Sequence, residues 1–397
     1  MTFQPELLES CRRDTPGASQ RIHFNNAGAA LMPRQVLEAM QQHLSLEMQM
    51  GGYEAAAFAR RDIAGFYGAV ARLLNTEPRN IAFAGSATDA YNKALSAIPF
   101  EPGDFILTTN DDYVSNQIAF IQAERRFGTR VIRAAALPEG GVDPDSVEQL
   151  VRKHKPKLVA VTHMPTNSGL VQPIEAIGQI CRQHNCLYLV DACQSAGQAP
   201  LDVQRIHCDF LSATFRKFLR GPRGAGFLYV SSRVLDQGLA PLFLDLHSAD
   251  WIASDAYQLH PDAYRFELWE RSYALVLGSK AAAEYALQIG LDNIQARVRL
   301  LAATLRERLA DIPGLRILDR GSERSGIVSV HAPGRKPLPL KIALEAQRIN
   351  SSISSHNAAL IDFDDKGVDW ALRFSPHYYN SEAEVDAVVN AMKALVS

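Results

Sequence analysis

The chain has 397 residues, enough for two ordinary domains, with 47% hydrophobic and 21% charged residues, as in a typical globular protein. It has 41 basic and 43 acidic residues, a net charge of −2, so no overall positive field indicates a nucleic-acid partner. The polar start, MTFQPELLESCRRD, has no signal-peptide core, and no apolar run is long enough to span a membrane.

Five cysteines, an odd and sparse set, argue against a disulfide framework and favour a reducing, cytoplasmic location. The fragment CRQHNC (181–186) has no second ligand pair at a zinc-like spacing. We interpret it as the end of a helix that runs into a strand, and we expect no metal site.

From about residue 60 to residue 230, helical and strand-like segments alternate. The predicted helices are RRDIAGFYGAVARLLN, TDAYNKALSAI, SNQIAFIQAERRFG, DPDSVEQLVRKH and PIEAIGQICRQHN. The predicted strands are NIAFAG, DFILTT, TRVIRAA, KLVAVTH, CLYLVD, DFLSATF and GAGFLYV. Short, continuously apolar strands between helices predict a doubly wound α/β domain with a mostly parallel sheet.

After residue 275 the pattern changes to two long helical stretches, then strand-like GIVSVHA and a terminal helix, EAEVDAVVNAMKALV. This predicts a smaller α+β domain. We place the large domain at residues 20–275 and the small domain at residues 1–19 and 276–397.

Ligands of open α/β sheets bind at the carboxyl ends of the strands, so the polar residues that follow the strands are the candidate site. Ser86 and Thr88 open a helix after NIAFAG, where free N–H groups favour an anion such as phosphate, although a plain helix cap explains them too. Asp191 ends CLYLVD, either as half of a structural ion pair or as a functional carboxylate. Lys217 follows DFLSATF, either in a solvated basic turn or as a desolvated, nucleophilic amine.

A phosphate cradle, a carboxylate and an activated lysine are together the parts that pyridoxal phosphate (PLP) requires. The lysine forms the Schiff base, and the carboxylate partners the pyridinium nitrogen. A nucleotide-binding α/β enzyme is a weaker alternative, because no GxGxxG or GxxxxGK[ST] motif follows a strand. A PLP-fold scaffold or sensor without activity is a further alternative.

VDACQSAGQAPLDV, followed by SATFRKFLRGPRGAGFLYV, resembles the class V aminotransferase family of fold-type I PLP enzymes. The resemblance extends from FNNAGAALMP to LRFSPHYYNSEAEVDAVV. GGYEAAA and the Arg-Lys pair bring the sequence nearest to members like hercynylcysteine sulfoxide lyase. By analogy with the family, the resemblance implies a homodimer with active sites at the interface.

The resemblance also assigns roles to individual residues. Lys217 binds PLP covalently as the Schiff base and moves the Cα proton of an amino-acid substrate, and Tyr113 stacks on the ring or acts as acid or base. The expected cofactor-binding residues are Ser86, Ala87, Thr88, Tyr113, Thr166, Asp191, Gln194, Thr214, Arg216 and Lys217. Asn167 is an alternative to Thr166. The expected substrate-binding residues are Asn26, Gly28 and Arg373, with Arg373 clamping the α-carboxylate.

Two features of the basic and interface segments remain open. Arg220 and Arg223 are expected to face solvent. The family binds phosphate with a partner-subunit residue after a stretch like RFELWERSY, and here Arg271 or Glu270 takes that position, toward either phosphate or substrate.

The reaction is the least determined property. Cysteine desulfurases of the family carry a nucleophilic cysteine on the segment matching residues 349–363, and no cysteine occurs after Cys208. On that ground the sequence analysis excludes a desulfurase. It favours a C–S lyase that eliminates a β-substituent from a cysteine conjugate or sulfoxide, with a transaminase and then an epimerase as alternatives.

Overall fold

The computed structural model describes residues 3–396. The α-helices of this range are α1 (Pro5–Arg13), α2 (Arg34–Met50), α3 (Gly52–Phe58), α4 (Arg60–Leu74), α5 (Ala87–Ser96), α6 (Val114–Phe127), α7 (Pro144–His154), α8 (Ile174–Gln183), α9 (Val203–Ile206), α10 (Ser232–Asp236), α11 (Tyr273–Ile289), α12 (Leu291–Ala310), α13 (Pro337–Ala346), α14 (Leu360–Lys366) and α15 (Glu382–Val396). The strands are β1 (Ile22–His23), β2 (Ile81–Ala84), β3 (Phe105–Thr108), β4 (Arg130–Arg133), β5 (Leu158–Thr162), β6 (Leu187–Asp191), β7 (Phe210–Thr214), β8 (Gly226–Val230), β9 (Ala249–Ala253), β10 (Ala256–Leu259), β11 (Arg316–Ile317), β12 (Val328–His331), β13 (Ile349–Asn350), β14 (Ser352–Ser355) and β15 (Trp370–Phe374).

A seven-stranded sheet with strand order β2-β8-β7-β6-β5-β3-β4 forms the centre of the molecule. Strand β8 is antiparallel to both of its neighbours, and the other pairs are parallel. Strands β2, β5, β6, β7 and β8 are buried along their whole length, because helices cover both faces of the sheet. The predicted doubly wound, mostly parallel fold is therefore confirmed.

Two hydrophobic cores lie on the two faces of this sheet. Val190 points into the core that contains α4, α8 and α11, and its neighbour Leu189 points into the core that contains α5 and α6. This alternation follows from the two-residue period of a strand. A strand buried on both faces needs apolar residues at every position, which explains the unbroken run LYLV in β6.

A second sheet, with order β11-β12-β15-β14, is antiparallel and packs with α12, α13 and α15 around its own core. Helix α11 belongs to the core of the large sheet and packs on α2 and α4. The division into residues 20–275 and residues 1–19 plus 276–397 stays a prediction, and its residues 1, 2 and 397 lie outside the described range.

The segment after β1 joins the two sheets. Strand β1 pairs in parallel with β13, and Asn25 then bridges to Ser375, just beyond β15. Residues 24–30 therefore run from the small sheet into the crevice at the edge of the large one. Among residues 3–396, no helix combines the length and the apolar character needed to cross a membrane.

Candidate active site

Candidate residues follow five of the strand ends at one edge of the large sheet. Strands β2, β3, β5, β6 and β7 run in the same direction, so their carboxyl ends share that edge. The side chains that follow them are those singled out from the sequence, and they are Ser86, Tyr113, Thr166, Asp191 and Lys217. Their common location follows from topology alone, while their mutual contacts depend on the loops.

Lys217 lies in the floor of the crevice and is only 6% exposed. Its Nζ lies 5.8 Å from the centre of the Tyr113 ring. Burial lowers the pKa of Lys217, and the nearby Arg216 and Arg373 lower it further, against the opposing effects of Cys193 and Asp191. A smaller cost of deprotonation favours the neutral, nucleophilic amine.

Asp191 is buried at the end of β6 and is held in one orientation from two sides. One carboxylate oxygen accepts a hydrogen bond from Asn116 Nδ2 at 3.0 Å, and the other accepts one from the Cys193 backbone N–H at 2.9 Å. No basic side chain of the described residues forms an ion pair with Asp191. The arrangement therefore does not support a structural salt bridge and leaves the carboxylate able to partner a cation in the crevice.

The sequence analysis missed the residues behind Asp191. Asn116 also donates to Asp112 at 3.0 Å, and Asp112 accepts from the Tyr113 backbone N–H and from Gln117. Burial raises the pKa of Asp112, in part opposed by its hydrogen bonds. The polar run NDDYVSNQ after β3 was the available signal, but its pairing with β6 is a tertiary contact.

Thr166 links Gln194 of the large sheet to Arg373 of the small sheet. Its hydroxyl accepts hydrogen bonds from Gln194 Nε2 at 2.8 Å and from Arg373 Nη1 at 2.7 Å. Asn167, the alternative considered from the sequence, makes neither of these contacts and donates to the Ala358 carbonyl at 3.1 Å. The geometry thus favours Thr166 of the two.

Arg373 comes from β15 of the small sheet and is buried against the large one. Besides Thr166, its guanidinium contacts Asn25 Oδ1 at 3.4 Å. Within residues 3–396 its Nε has no hydrogen-bond partner, although the atom is buried. Burial, and secondarily Arg216, lower the pKa of Arg373 to about 10. An anion such as a carboxylate would satisfy the free donor and offset the clustered positive charge.

Arg216 lies on the same side of the crevice as Arg373. Its guanidinium donates to the Gly28 carbonyl, and its own carbonyl accepts from the Ala30 N–H at 2.8 Å. Burial and the neighbouring Arg223 lower the pKa of Arg216. The predicted phosphate contact of Arg216 stays a prediction, since the side chain here contacts the 25–30 loop.

The proposed phosphate cradle is built by the first turn of α5. Ser86 caps this helix by accepting from the Asp89 N–H at 3.0 Å, and Thr88 is exposed next to it. A Cβ on Gly226 would lie 2.7 Å from the Ser86 carbonyl carbon and 2.9 Å from the Ala87 nitrogen. Glycine at this position therefore lets β8 approach the helix start. Thr214, at the end of β7, donates to Ala225 at 3.3 Å.

Asn26 and Gly28 shape the 25–30 loop. The Asn26 amide donates to the Ser375 carbonyl at 2.8 Å, and its oxygen accepts from the Tyr379 hydroxyl at 2.6 Å. Because these hydrogen bonds occupy the Asn26 side chain, only its backbone is available to contact a ligand. The Asn25 side chain, in contrast, faces Arg373.

The expectation that Arg220 faces solvent is wrong. Arg220 is 1% exposed, the largest fully buried side chain of the described residues, whereas Arg223 is exposed as expected. Arg220 donates to the Leu31 carbonyl at 2.9 Å and to the Tyr378 hydroxyl at 2.7 Å, and also to Thr15. The basic run therefore contains a buried clamp, and a sequence pattern does not distinguish this from a solvated turn.

The segment after RFE has a defined internal arrangement. Arg271 pairs with the fully buried Glu267, which also accepts from the Phe83 N–H at 2.6 Å and from the Tyr67 hydroxyl at 3.1 Å. Glu270 is exposed. Arg271 thus lies in the same cluster as β2, the strand that leads to the phosphate cradle.

These residues fit PLP. The crevice offers a buried lysine beside an aromatic ring, a buried carboxylate without a basic partner, and a capped helix start suited to phosphate. Within the described range, Gln194 Oε1 is buried without a hydrogen-bond partner, and it lies beside Thr166 at the same edge. An orphaned polar atom in such a position indicates that a ligand completes the site.

Fold and site together define a fold-type I PLP-dependent enzyme. A family model described as aminotransferase class-V matches residues 22–388, and the chain belongs to this family. The chain is 28% identical to a probable cysteine desulfurase of Pyrococcus abyssi, over 98% of both chains.

Solved structures of cysteine desulfurases and of a cystine C–S lyase have the same fold. The apo cysteine desulfurase of Thermococcus onnurineus aligns with a TM-score of 0.90 at 26% identity, over 98% of each chain. Two structures of C-DES, a cystine C–S lyase, align with TM-scores of 0.85 and 0.84 at 25% identity, over 96% of this chain and 98% and 99% of theirs. One has glycine covalently linked to PLP, and the other holds the reaction product cysteine persulfide. The family and cofactor expected from the sequence are confirmed, and lyase-type chemistry fits these neighbours.

The exclusion of a cysteine desulfurase is wrong, and with it the ranking of reactions that depended on this exclusion. Full-length relatives carry the name cysteine desulfurase. The exclusion depended on one feature, the lack of a cysteine in residues 349–363. Sulfur removal requires an acceptor thiol near the substrate, but the chemistry does not require that thiol to lie on this segment.

Proposed function

We propose that the protein is a PLP-dependent cysteine desulfurase, which removes the sulfur of cysteine and releases alanine. The observation that carries the proposal is the similarity to named desulfurases along almost the whole chain. The name of the relatives suggests cysteine as the substrate, and the crevice contains residues suited to binding an amino acid.

PLP, when bound, supplies an electron sink for charge that develops at the substrate Cα. In the proposal Lys217 binds the cofactor and then moves a proton at Cα, which its lowered pKa favours. Asp191, fixed by Asn116 and the Cys193 N–H, keeps the ring nitrogen protonated. Tyr113, whose ring centre lies 5.8 Å from Lys217 Nζ, would stack on the cofactor.

The cofactor's remaining polar atoms have proposed partners at the same edge. The first turn of α5, with Ser86, Ala87 and Thr88, holds the phosphate together with Thr214 and Arg216. Gln194 lies on the other side of the crevice, where its free oxygen and the Thr166 hydroxyl are available to the ring substituents.

Arg373 binds the α-carboxylate of the substrate in this proposal. Its guanidinium is already fixed by Thr166 and Asn25, so little side-chain entropy is lost when the substrate binds. The buried and unpaired Nε provides a donor for the carboxylate. Gly28 and Asn26 border this position through the backbone of their loop.

We further propose a homodimer in the cytoplasm. The hairpin β9–β10 is largely exposed on both faces, with Trp251 at 80% and Tyr257 at 62% exposure, and Phe243 nearby in sequence is 86% exposed. A two-stranded hairpin is marginal in water by itself, so an apolar hairpin of this kind is explained by a covering partner. Five free cysteines fit a reducing compartment.

Sedimentation of Trp251→Asp tests the dimer. Because a charge in an apolar interface is costly, we expect this variant to sediment as a monomer where the parent sediments as a dimer. Asp255→Asn, an exposed substitution in the same hairpin, is the matched control and should leave association unchanged. A monomeric parent protein would refute the proposal.

Product analysis tests the reaction. The PLP-loaded enzyme is incubated with cysteine and a reducing thiol, and the carbon products are quantified. We expect alanine in many turnovers per site, and none with Lys217→Ala. Pyruvate and ammonia in place of alanine would refute the desulfurase assignment.

A further inference from the structure

We infer that the sulfur acceptor is a small diffusible thiol and not a cysteine of this chain. The inference rests on the proposed desulfurase function and adds the class of the second substrate. A desulfurase needs a thiolate that attacks the sulfur of the bound cysteine, so every cysteine of the chain is a candidate to be examined.

Three cysteines lie at the wrong edge of the sheet. Cys186 lies just before β6 and Cys208 shortly before β7, whereas Asp191 ends β6 and Lys217 follows β7. A five-residue strand at about 3.3 Å per residue places them roughly 17 Å from the crevice. Cys181 lies at the same edge as Cys186, because its carbonyl accepts a hydrogen bond from the Cys186 N–H at 3.0 Å. All three are buried, and burial raises the pKa of each thiol.

Cys11 is enclosed in the core and does not face the crevice. It is 1% exposed on α1, beside the buried Arg220 and Tyr285. Burial raises the pKa of its thiol, and its carbonyl accepts from the Thr15 hydroxyl at 2.6 Å. The thiol would have to leave the core before it reached a substrate.

Cys193 is the single cysteine at the crevice and is half-buried. It lies beside Asp191, and burial together with that carboxylate raises the pKa of the thiol well above its ordinary value. The Cys193 side chain also hydrogen-bonds to Asp191, which favours the protonated thiol, a poor nucleophile. The backbone N–H of Cys193 also donates to the Asp191 carboxylate at 2.9 Å, so Cys193 helps to hold Asp191 in place.

Residues 354–358 lie beside the substrate side of the crevice. The Ala358 carbonyl accepts from Asn167, the neighbour of Thr166, and His356 pairs with Asp364 at 2.6 Å. The side chains of this stretch are the hydroxyls of Ser354 and Ser355, an imidazole and an amide. None of these groups forms a persulfide, so the stretch borders the opening but supplies no acceptor.

The balanced step needs only one external thiol. The thiolate attacks the substrate sulfur and forms a sulfur–sulfur bond, while the bond from sulfur to the substrate β-carbon breaks. The electron pair of that bond stays on the carbon skeleton, which takes up a proton and leaves as alanine. Cysteine and the thiol thus give alanine and a small persulfide, with no separate oxidant or reductant. Lys217, Asp191 and Arg373 are only 4–6% exposed, so the opening suits a small molecule.

The test is a single turnover with PLP-loaded enzyme in excess over cysteine, with and without 2-mercaptoethanol. The excess of enzyme removes cysteine itself as an acceptor. We expect alanine only when the thiol is added, with the sulfur recovered as persulfide on the small thiol. Whole-protein mass spectrometry should show no added sulfur.

The outcomes separate the two proposals. One equivalent of alanine without added thiol, together with a persulfide on any cysteine of the protein, would overturn the inference while leaving the desulfurase function intact. Pyruvate in place of alanine, or no product with either addition, would overturn the desulfurase function itself.

Discussion

Replacing Arg220 by methionine tests whether the buried clamp holds the Lys217 loop. Arg220 donates three hydrogen bonds, to Thr15, Leu31 and Tyr378, and its guanidinium lies 4.4 Å from the centre of the Tyr379 ring. The Arg220 backbone adopts the left-handed conformation, with a φ of 60°. Its N–H donates a hydrogen bond to the Lys217 carbonyl at 2.9 Å. The residue thus joins segments near the start and the end of the chain to the Lys217 loop.

The magnitude follows from these contacts. Hydrogen bonds from a charged donor contribute about 1.5–3 kcal/mol each, and the cation–π contact adds about 1–2 kcal/mol. Removing the guanidinium also removes a desolvation penalty of several kcal/mol, since no carboxylate within residues 3–396 forms an ion pair with it. The remaining cost comes from the acceptors left unpaired, and we expect the free energy of unfolding to fall by about 3 kcal/mol.

Urea unfolding of the parent and variant proteins measures this change, and retention of PLP after gel filtration measures the effect on the site. Arg223→Met, in the same motif but exposed, is the matched control and should change stability by less than about 0.5 kcal/mol. Equal stability of the two variants would refute the clamp. Loss of stability with full retention of PLP would refute its link to Lys217.

Three further predictions concern the site and its surroundings. Borohydride reduction should fix PLP on the peptide containing Lys217, and Lys217→Ala should lose both this adduct and turnover, as mass spectrometry and alanine assays would show. Arg373→Lys should lower kcat/KM for cysteine roughly ten- to hundredfold, mainly through KM, because a forked contact of about 1.5–3 kcal/mol is lost; an unchanged KM would remove Arg373 from carboxylate binding. Burial lowers the pKa of His163 to about 4, so the unfolded state takes up the proton first as pH falls below about 6.5. Stability is therefore lost on acidification, and His163→Gln should remove about 2 kcal/mol of the decrease between pH 7 and pH 5, as urea titrations at both values would reveal.

The strand ends could be located from the sequence because they are marked by a change from apolar to polar residues over a few positions. A strand buried on both faces needs an unbroken apolar run, so Asp191 after LYLV and Lys217 after FLSATF stand out as polar residues at strand ends. Parallel strands bring those ends to one edge. The family resemblance then followed from motifs around these same two residues.

The choice of reaction was not predictable in this way. The missing cysteine in residues 349–363 excludes one location for the acceptor thiol, but it does not exclude the whole reaction. Which thiol reaches the substrate depends on access and on distance across the sheet. A sequence pattern contains neither quantity.

The sequence by itself determined the mostly parallel sheet, the polar residues at its strand ends and the PLP chemistry. These features depend on hydrophobic periodicity and on turn residues, which act over a few positions in the chain. Only the tertiary structure decided that Arg220 is buried, that Thr166 joins Gln194 to Arg373, and that Asn116 holds Asp191. Each of these contacts joins residues far apart in the chain. Their geometry depends on how the small sheet and the 25–30 loop pack on the large sheet, and local sequence preferences do not encode that packing.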